Sequence, residues 1–176
     1  MIELKKTGKN TGCMEILEQI NHEAIPECER NPLDKLIDTG AEVLGIFLDG
    51  VPVGYFVLRE YKSILYLAYF AVSREHRSEG IGSRALAQLI REAKDRQIVV
   101  EYEAPSGSDV NGMAARRRDF YLRNGFCRTG WYTFYDETEF EIACTSVSFD
   151  TAAFREFVRH LSTLVSDHIP EPYRKD

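Results

Sequence analysis

The residues with the most chemical content lie at 77 to 83, "RSEGIGS", where an arginine precedes two closely spaced glycines. They follow the apolar run "ILYLAYFAV" and lead into a helical pattern, so the glycines stand where a strand gives way to a helix. At such a junction the first backbone N–H groups of the helix have no intrahelical acceptor, and the helix dipole adds partial positive charge. The N–H groups of Ser78, Glu79, Gly80, Ile81, Gly82 and Ser83 can converge there on one anion. Glycine at 80 and 82 lets the backbone approach closely, because a Cβ would stand where phosphate oxygens must sit. Arg77 adds a charge-assisted contact.

Three ligands compete for this loop. A nucleotide-kinase loop needs G-x-x-x-x-G-K-[S/T], a string the sequence lacks. The dinucleotide fingerprint G-x-G-x-x-G/A is met nominally by Gly80, Gly82 and Ala85, with Glu101 about 20 residues on where a ribose-binding acid would stand. In that fold the glycines turn directly off the strand, whereas here Ser73 to Glu79 separate Val72 from Gly80. Another diphosphate-bearing ligand is the third, and a glycine-rich turn holding nothing is the bland reading.

The elements that must position this loop read as follows. "TGCMEILEQINHEAI" carries Ile16, Leu17, Ile20 and Ala24 at helical spacing, and Pro26 ends the run. "NPLDKLID" makes a second short helix. "AEVLGIFLDG" and "VPVGYFVLRE" are strands joined at Asp49-Gly50, a dipeptide suited to positive φ, and Lys62-Ser63 breaks the chain again before "ILYLAYFAV". After the glycines, Leu86, Leu89, Ile90 and Ala93 form one apolar stripe. "IVVEYEAP" is a strand reached through a helix, hence parallel to its predecessor. A helix from about Gly112 to Asn124 follows, with Met113, Ala114, Phe120 and Tyr121 on one face and Gly125 as a left-handed cap. "WYTFYD" and "TEFEIACTS" form a late hairpin. Asp150 caps a last helix that turns Phe154, Phe157, Val158, Leu161 and Leu164 inward, and "IPEPYRKD" is a loose tail. The fold class is α/β, a mixed and mostly antiparallel sheet with helices on both faces, in one domain whose core spans about 15–165.

Composition narrows the partners. At 176 residues, 44% hydrophobic and 28% charged, the chain has ordinary globular composition. Its longest apolar run is far below the ~20 residues of a membrane-spanning helix. "MIELKKTGKNTG" lacks the apolar core of a signal peptide, which makes a cytoplasmic setting the expectation. The net charge of −6 disfavours nucleic acid and is compatible with a cationic substrate. "RRR" at 116 to 118 does not alter this, because successive helix residues point about 100° apart. Cys13, Cys28, Cys127 and Cys144 are scattered, with no C-x-x-C pair, and read as reduced, buried thiols. The four histidines do not cluster, so no metal is expected.

Arg77 to Gly82 is also the R-x-x-G-x-G string that binds the acetyl-CoA pyrophosphate in the GNAT superfamily of N-acetyltransferases, and more of the chain resembles that family in the same order. "ILYLAYFAVSREHRSEGIGSRAL" resembles its strand, loop and helix core. "RRRDFYLRNGF" resembles its later helix, which ends in Tyr-x-x-x-Gly-Phe, and "EAIPECERNPLDKLI" is similar to the helical N-terminal segment of one bacterial branch. Many members carry an asparagine seven residues before the helix tyrosine; that position is Ala114 here, and the nearest asparagine is Asn111.

The resemblance implies an acetyl-CoA-dependent N-acetyltransferase acting directly on a primary amine. It implies that the strands ending at Val72 and Glu103 diverge, and that the acetyl-pantetheine arm pairs with backbone groups of Phe70 and Val72, across Ala71. The Val72 N–H would polarise the thioester carbonyl, and Tyr121 would stand near the CoA sulfur as general acid. A free alkyl amine has a pKa near ~10.4, so a base or a water chain must take its proton. Glu103 is the first candidate; Glu101 lies on the same strand face, farther from the carboxyl end where such sheets open. A noncatalytic acyl-CoA-binding protein of the same fold is the alternative function, and an NAD-type protein a more remote one. The N-terminal helices near Ile25 to Leu36 and the hairpins would shape the acceptor site, with polyamine, amino acid, antibiotic and protein N-terminus all left open. The architecture commonly dimerises, so a homodimer is among the arrangements the resemblance allows.

Overall fold

The computed structural model describes residues 1–105, 112–165 and 168–175. Asn111 lies outside the described residues. The chain divides into two compact units, one of Met1–Glu60 with Leu67–Lys94, the other of Tyr61–Tyr66 with Asp95–Asp176. Eight strands and five α-helices occur among the described residues, so the expected α/β class with a mostly antiparallel sheet is the class found.

The first unit holds β1 (Ile2–Thr7), α1 (Met14–Ala24), α2 (Leu33–Asp38), β2 (Glu42–Leu48), β3 (Val51–Tyr61), the later part of β4 (Ile64–Val72) and α3 (Ile81–Ala93). Its strand order is β1-β2-β3-β4. β1 pairs antiparallel with β2 from Ile2↔Leu48 to Thr7↔Val43, and β2 with β3 from Glu42↔Leu58 to Leu48↔Val51. The β2–β3 turn has φ of 50° at Asp49 and 86° at Gly50, the pair of positive angles that matches the twist of a tight hairpin. Met14, Leu17 and Ile20 of α1 and Leu33 of α2 pack on Val43, Tyr55, Val57 and Ala71. Ile16, expected on the buried stripe, is instead 41% exposed, because residues three and four apart from Met14 and Leu17 define that face. Asn21 is completely buried; its Oδ1 accepts from the Tyr55 hydroxyl at 2.7 Å and its Nδ2 donates to the Asn31 carbonyl at 3.0 Å. That bond and Tyr69 Oη to the Glu29 carbonyl at 2.6 Å pin the segment between α1 and α2.

The second unit holds the start of β4, β5 (Gln97–Glu103), α4 (Met113–Arg123), β6 (Cys127–Tyr135), β7 (Thr138–Cys144), α5 (Thr151–Leu164) and β8 (Tyr173–Arg174), in strand order β4-β5-β7-β6-β8. β4 and β5 are parallel, as a helical crossover requires, from Ile64↔Gln97 to Tyr66↔Val99. β7 pairs antiparallel with both β5 and β6. One face of this sheet carries Ile64, Val99, Ile142 and Cys144 beneath Phe154, Phe157, Val158 and Leu161 of α5. Asp150 caps α5 as expected, its Oδ1 accepting from the Ala153 N–H at 3.0 Å. Leu164 falls beyond the covered stripe at 43% exposure, and Met113 of α4 is 75% exposed, so both depart from their expected inward places. The C-terminal residues read as a loose tail supply β8, which pairs Tyr173 and Arg174 with β6. Of the four thiols only Cys144 is buried, and Cys28 is exposed, which corrects the uniform burial expected of them.

Candidate active site

In the first unit the chain leaves β4 through a short 3-10 turn at Arg74–His76, held by the Ser73 N–H donating to the Val53 carbonyl at 2.8 Å. His76 Nδ1 lies 2.9 Å from Ser73 Oγ. Arg77 Nε donates to the Val72 carbonyl at 3.1 Å, so this side chain also braces the end of β4. Ser78 and Gly80 both have left-handed φ, 69° and 74°, and they bracket Glu79 just before α3 begins at Ile81. At this turn the Arg84 N–H donates to the Gly80 carbonyl at 3.1 Å and closes the start of α3. Among the described residues no acceptor takes the N–H groups of Ser78 to Ser83. A Cβ at Gly80 would meet no protein atom within 4 Å, so the positive φ is what asks for glycine there. The loop is anchored by Ile81, which is 2% exposed, and is otherwise at the surface.

Side chains along a strand point alternately to its two faces. In β4 Ala68 and Tyr69 are adjacent, yet both pack against the α1–α2 cluster, so alternation breaks there. The parallel register with β5 ends at Tyr66↔Val99, just before that break, while β4 runs on to Val72 and β5 to Glu103. β3 comes unusually close to the far end of β4. A Cβ added to Gly54 would stand 2.4 Å from the Ala71 carbonyl oxygen and 3.2 Å from the Val72 Cα. Gly54→Ala must therefore displace the backbone at Ala71–Val72, and overpacking of this kind costs about 1–3 kcal/mol. Urea unfolding is expected to show that loss; a variant as stable as the parent would mean that the two strands do not approach so closely.

In the second unit α4 ends in a Schellman motif with Tyr121 in its last turn. The Phe126 N–H donates to the Tyr121 carbonyl at 3.1 Å, the Gly125 N–H to the Leu122 carbonyl at 3.4 Å, and Gly125 has φ of 90°. The apolar contact that accompanies such a cap is Phe126 on Tyr121, edge to face with centroids 5.2 Å apart. The Tyr-x-x-x-Gly-Phe spacing thus follows from one local structure that fixes the tyrosine ring. Tyr102 of β5 stacks on the same ring at 5.9 Å and 11°. Tyr121 is 6% exposed, and its hydroxyl has no hydrogen-bond partner among the described residues. Burial pushes that hydroxyl up to about 12, against a smaller opposing pull from the Arg117 charge. Of the arginine triplet, Arg116 and Arg117 are exposed, and Arg118 pairs with Asp119 at 3.0 Å.

Glu101 and Glu103 alternate away from Tyr102, onto the face that Val99 shares with α5. Glu103 is exposed and has no hydrogen-bond partner among the described residues. Glu101 differs. Its Oε2 accepts from Tyr66 Oη at 2.6 Å, its Oε1 from Thr133 Oγ1, and Tyr135 adds a third hydroxyl. Burial raises the Glu101 carboxyl above its ordinary range, and the hydroxyl bonds offset this only in part. The sequence does not mark Tyr66, Thr133 or Tyr135 as site residues. Their only signal is a polar tip within strand patterns on β4 and β6, and it identifies nothing until the strands are paired.

The fold that carries these residues is shared with solved structures of acetyltransferases. An acetyltransferase assigned to the GNAT family from Bacteroides thetaiotaomicron is 24% identical with a TM-score of 0.74, covering 93% of this chain and 97% of that one. A GNAT family acetyltransferase from Elizabethkingia anophelis with acetyl-CoA bound is 16% identical at 0.62, covering 83% and 98%. The ribosomal-protein-S18-alanine N-acetyltransferase from Escherichia coli is 14% identical at 0.60, covering 85% and 97%. At these identities the likeness is one of fold. No curated protein matches the chain. The chain belongs to the acetyltransferase (GNAT) family, which it matches over residues 5–126, a span that includes the glycine loop and Tyr121.

Proposed function

We propose that this protein is an acetyl-CoA-dependent N-acetyltransferase that passes the acetyl group directly to a primary amine. The observation that carries this reading is the row of N–H groups from Ser78 to Ser83 that no acceptor takes among the described residues, with left-handed backbone at Ser78 and Gly80 and no protein atom within 4 Å of where a Gly80 Cβ would stand. Such a row suits the diphosphate of coenzyme A. Arg77 adds positive charge, and the backbone of Phe70, Ala71 and Val72 offers hydrogen-bonding groups to the pantetheine arm. A cytoplasmic location, where acetyl-CoA is available, belongs to the same reading.

In the reaction the neutral amine nitrogen attacks the thioester carbonyl carbon, a C–N bond forms and the C–S bond breaks. The amine's proton goes to a base, and the departing thiolate takes one from an acid. The Val72 N–H would donate to the carbonyl oxygen as negative charge develops on it. We assign the acid to Tyr121, whose hydroxyl stays protonated across the working pH range. We assign the base to Glu101 and not to Glu103, the first choice from sequence. Among the described residues no side chain orients Glu103, whereas three hydroxyls orient Glu101 and burial raises its carboxyl above the ordinary range, toward the pH at which a base must work.

Thermal unfolding tests the binding step. Acetyl-CoA at about 100 times its Kd is expected to stabilise the protein by about 2.7 kcal/mol. Stabilisation by NAD and not by acetyl-CoA would overturn the reading. Release of CoA thiol with a panel of primary amines tests turnover; binding without release from any of them identifies a noncatalytic acyl-CoA-binding protein.

A further inference from the structure

We propose that Cys127 and Cys144 form a redox-sensitive pair, which closes to an intramolecular disulfide when a hydroperoxide oxidises the protein. The two residues face each other directly across the β6–β7 ladder, in register as Cys127↔Cys144, and both are free thiols. Directly opposed residues of an antiparallel pair have Cα atoms about 4.5–5.5 Å apart and side chains on the same face. A disulfide needs Cα atoms about 4.4–6.8 Å apart, and both kinds of opposed pair fall within that range.

Their surroundings divide the work. Cys127 is partly exposed and meets the oxidant first. Cys144 is buried, with its Sγ donating to the Ser146 carbonyl at 3.1 Å, and burial holds its thiol protonated until a partner sulfur is activated. The Cys127 thiolate attacks the hydroperoxide, the O–O bond breaks, and a sulfenic acid and a water or alcohol form. The Cys144 sulfur then attacks the Cys127 sulfur; the S–O bond breaks, and hydroxide leaves as water with the Cys144 proton. Two thiols are oxidised by two electrons and one hydroperoxide is reduced. In a reducing cytoplasm such a bond is transient, as sensing cysteines require. The crosslink would join the strand ends next to Phe126, the residue that seats Tyr121.

The experiment uses the full chain carrying Cys13→Ser and Cys28→Ser, treated with hydrogen peroxide and then alkylated and digested without reductant. Expected are the loss of both remaining thiols together, a mass lower by two hydrogens, and a linked peptide joining 127 to 144, all reversed by dithiothreitol. Closing this loop is also expected to raise Tm by about 5–10 °C. With Cys144→Ser added, Cys127 is expected to stop at sulfenic or sulfinic acid. Oxidation of Cys127 to sulfinic acid while Cys144 still reacts as a thiol would overturn the proposal, as would a link between two chains. None of these readouts depends on acetyl transfer, so the pair stands or falls apart from the proposed activity.

Discussion

Tyr121→Phe is expected to lower kcat by about 100-fold or more while leaving the affinity for acetyl-CoA within a factor of about three, the pattern of a group that acts only in the transition state. The substitution removes one oxygen and keeps the ring, and the ring is what Phe126, Phe120 and Tyr102 hold. Because the hydroxyl has no partner among the described residues, deleting it leaves no donor or acceptor of those residues unpaired. Folding stability should therefore change little, and the loss is one of chemistry. The size of the effect has a ceiling as well as a floor. A hydroxyl at about 12 is a weak proton donor to a thiolate whose conjugate acid lies near ~8.5, so Tyr121 supplies a strong hydrogen bond to the leaving sulfur before it supplies a proton. That places the expected loss toward the lower end of the ~100- to 10,000-fold range for acid–base catalysis. Steady-state kinetics with varied acetyl-CoA would decide it. Unchanged kcat removes Tyr121 from the reaction, and a proportionate rise in KM with constant kcat would make it a binding residue.

The parts of the site that the sequence makes legible are those built from neighbours along the chain. The Schellman cap needs only Tyr121 to Phe126, the positive-φ turn only Asp49 and Gly50, and the α5 cap only Asp150 and Ala153. The glycine loop is equally local, since the residues that leave the amides unengaged are the residues that carry them. What escaped was set by pairing between distant strands. The hydroxyls on Glu101 come from Tyr66 and Thr133, residues 35 and 32 positions away, and a one-residue slip in either strand would turn them to the other face. For the same reason the two glutamates on β5 read alike in sequence. Gly54 has a similar history: its need for a bare backbone comes from Ala71 and Val72 on the neighbouring strand, and no turn signal marks it. Helix stripes erred at their ends, as at Met113 and Leu164, which are exposed although the apolar pattern runs through them. The short edge strands β1 and β8 carry too little alternation to be read without their partners.

Glu101→Gln is expected to produce a protein that is less active and, above acid pH, more stable. The carboxyl is raised in the folded state, chiefly by burial, so the fold binds a proton there more tightly than the unfolded chain does. The stability that Glu101 contributes is then fully present below its unfolded value of about 4.3 and is lost as pH rises through the folded value. Glutamine has nearly the same shape and carries no charge at any pH, and the hydroxyls of Tyr66, Thr133 and Tyr135 can accept from its amide as well as donate to its oxygen. The Tm difference between variant and parent should thus be near zero around pH 4, open in favour of the variant as pH rises, and level off once the parent carboxyl is fully ionised. Activity moves the other way. With the base removed, kcat/KM should fall by about 100- to 10,000-fold at neutral pH, and the rising limb that the parent owes to the Glu101 carboxyl, displaced above the ordinary carboxylate range, should vanish. The two measurements separate the roles. A variant stabilised as described yet fully active would make Glu101 a buried structural acid and return the base to Glu103 or to water. A variant that loses both activity and stability at every pH would mean that the hydroxyl bonds outweigh the cost of burying the charge, contrary to the direction of the shift.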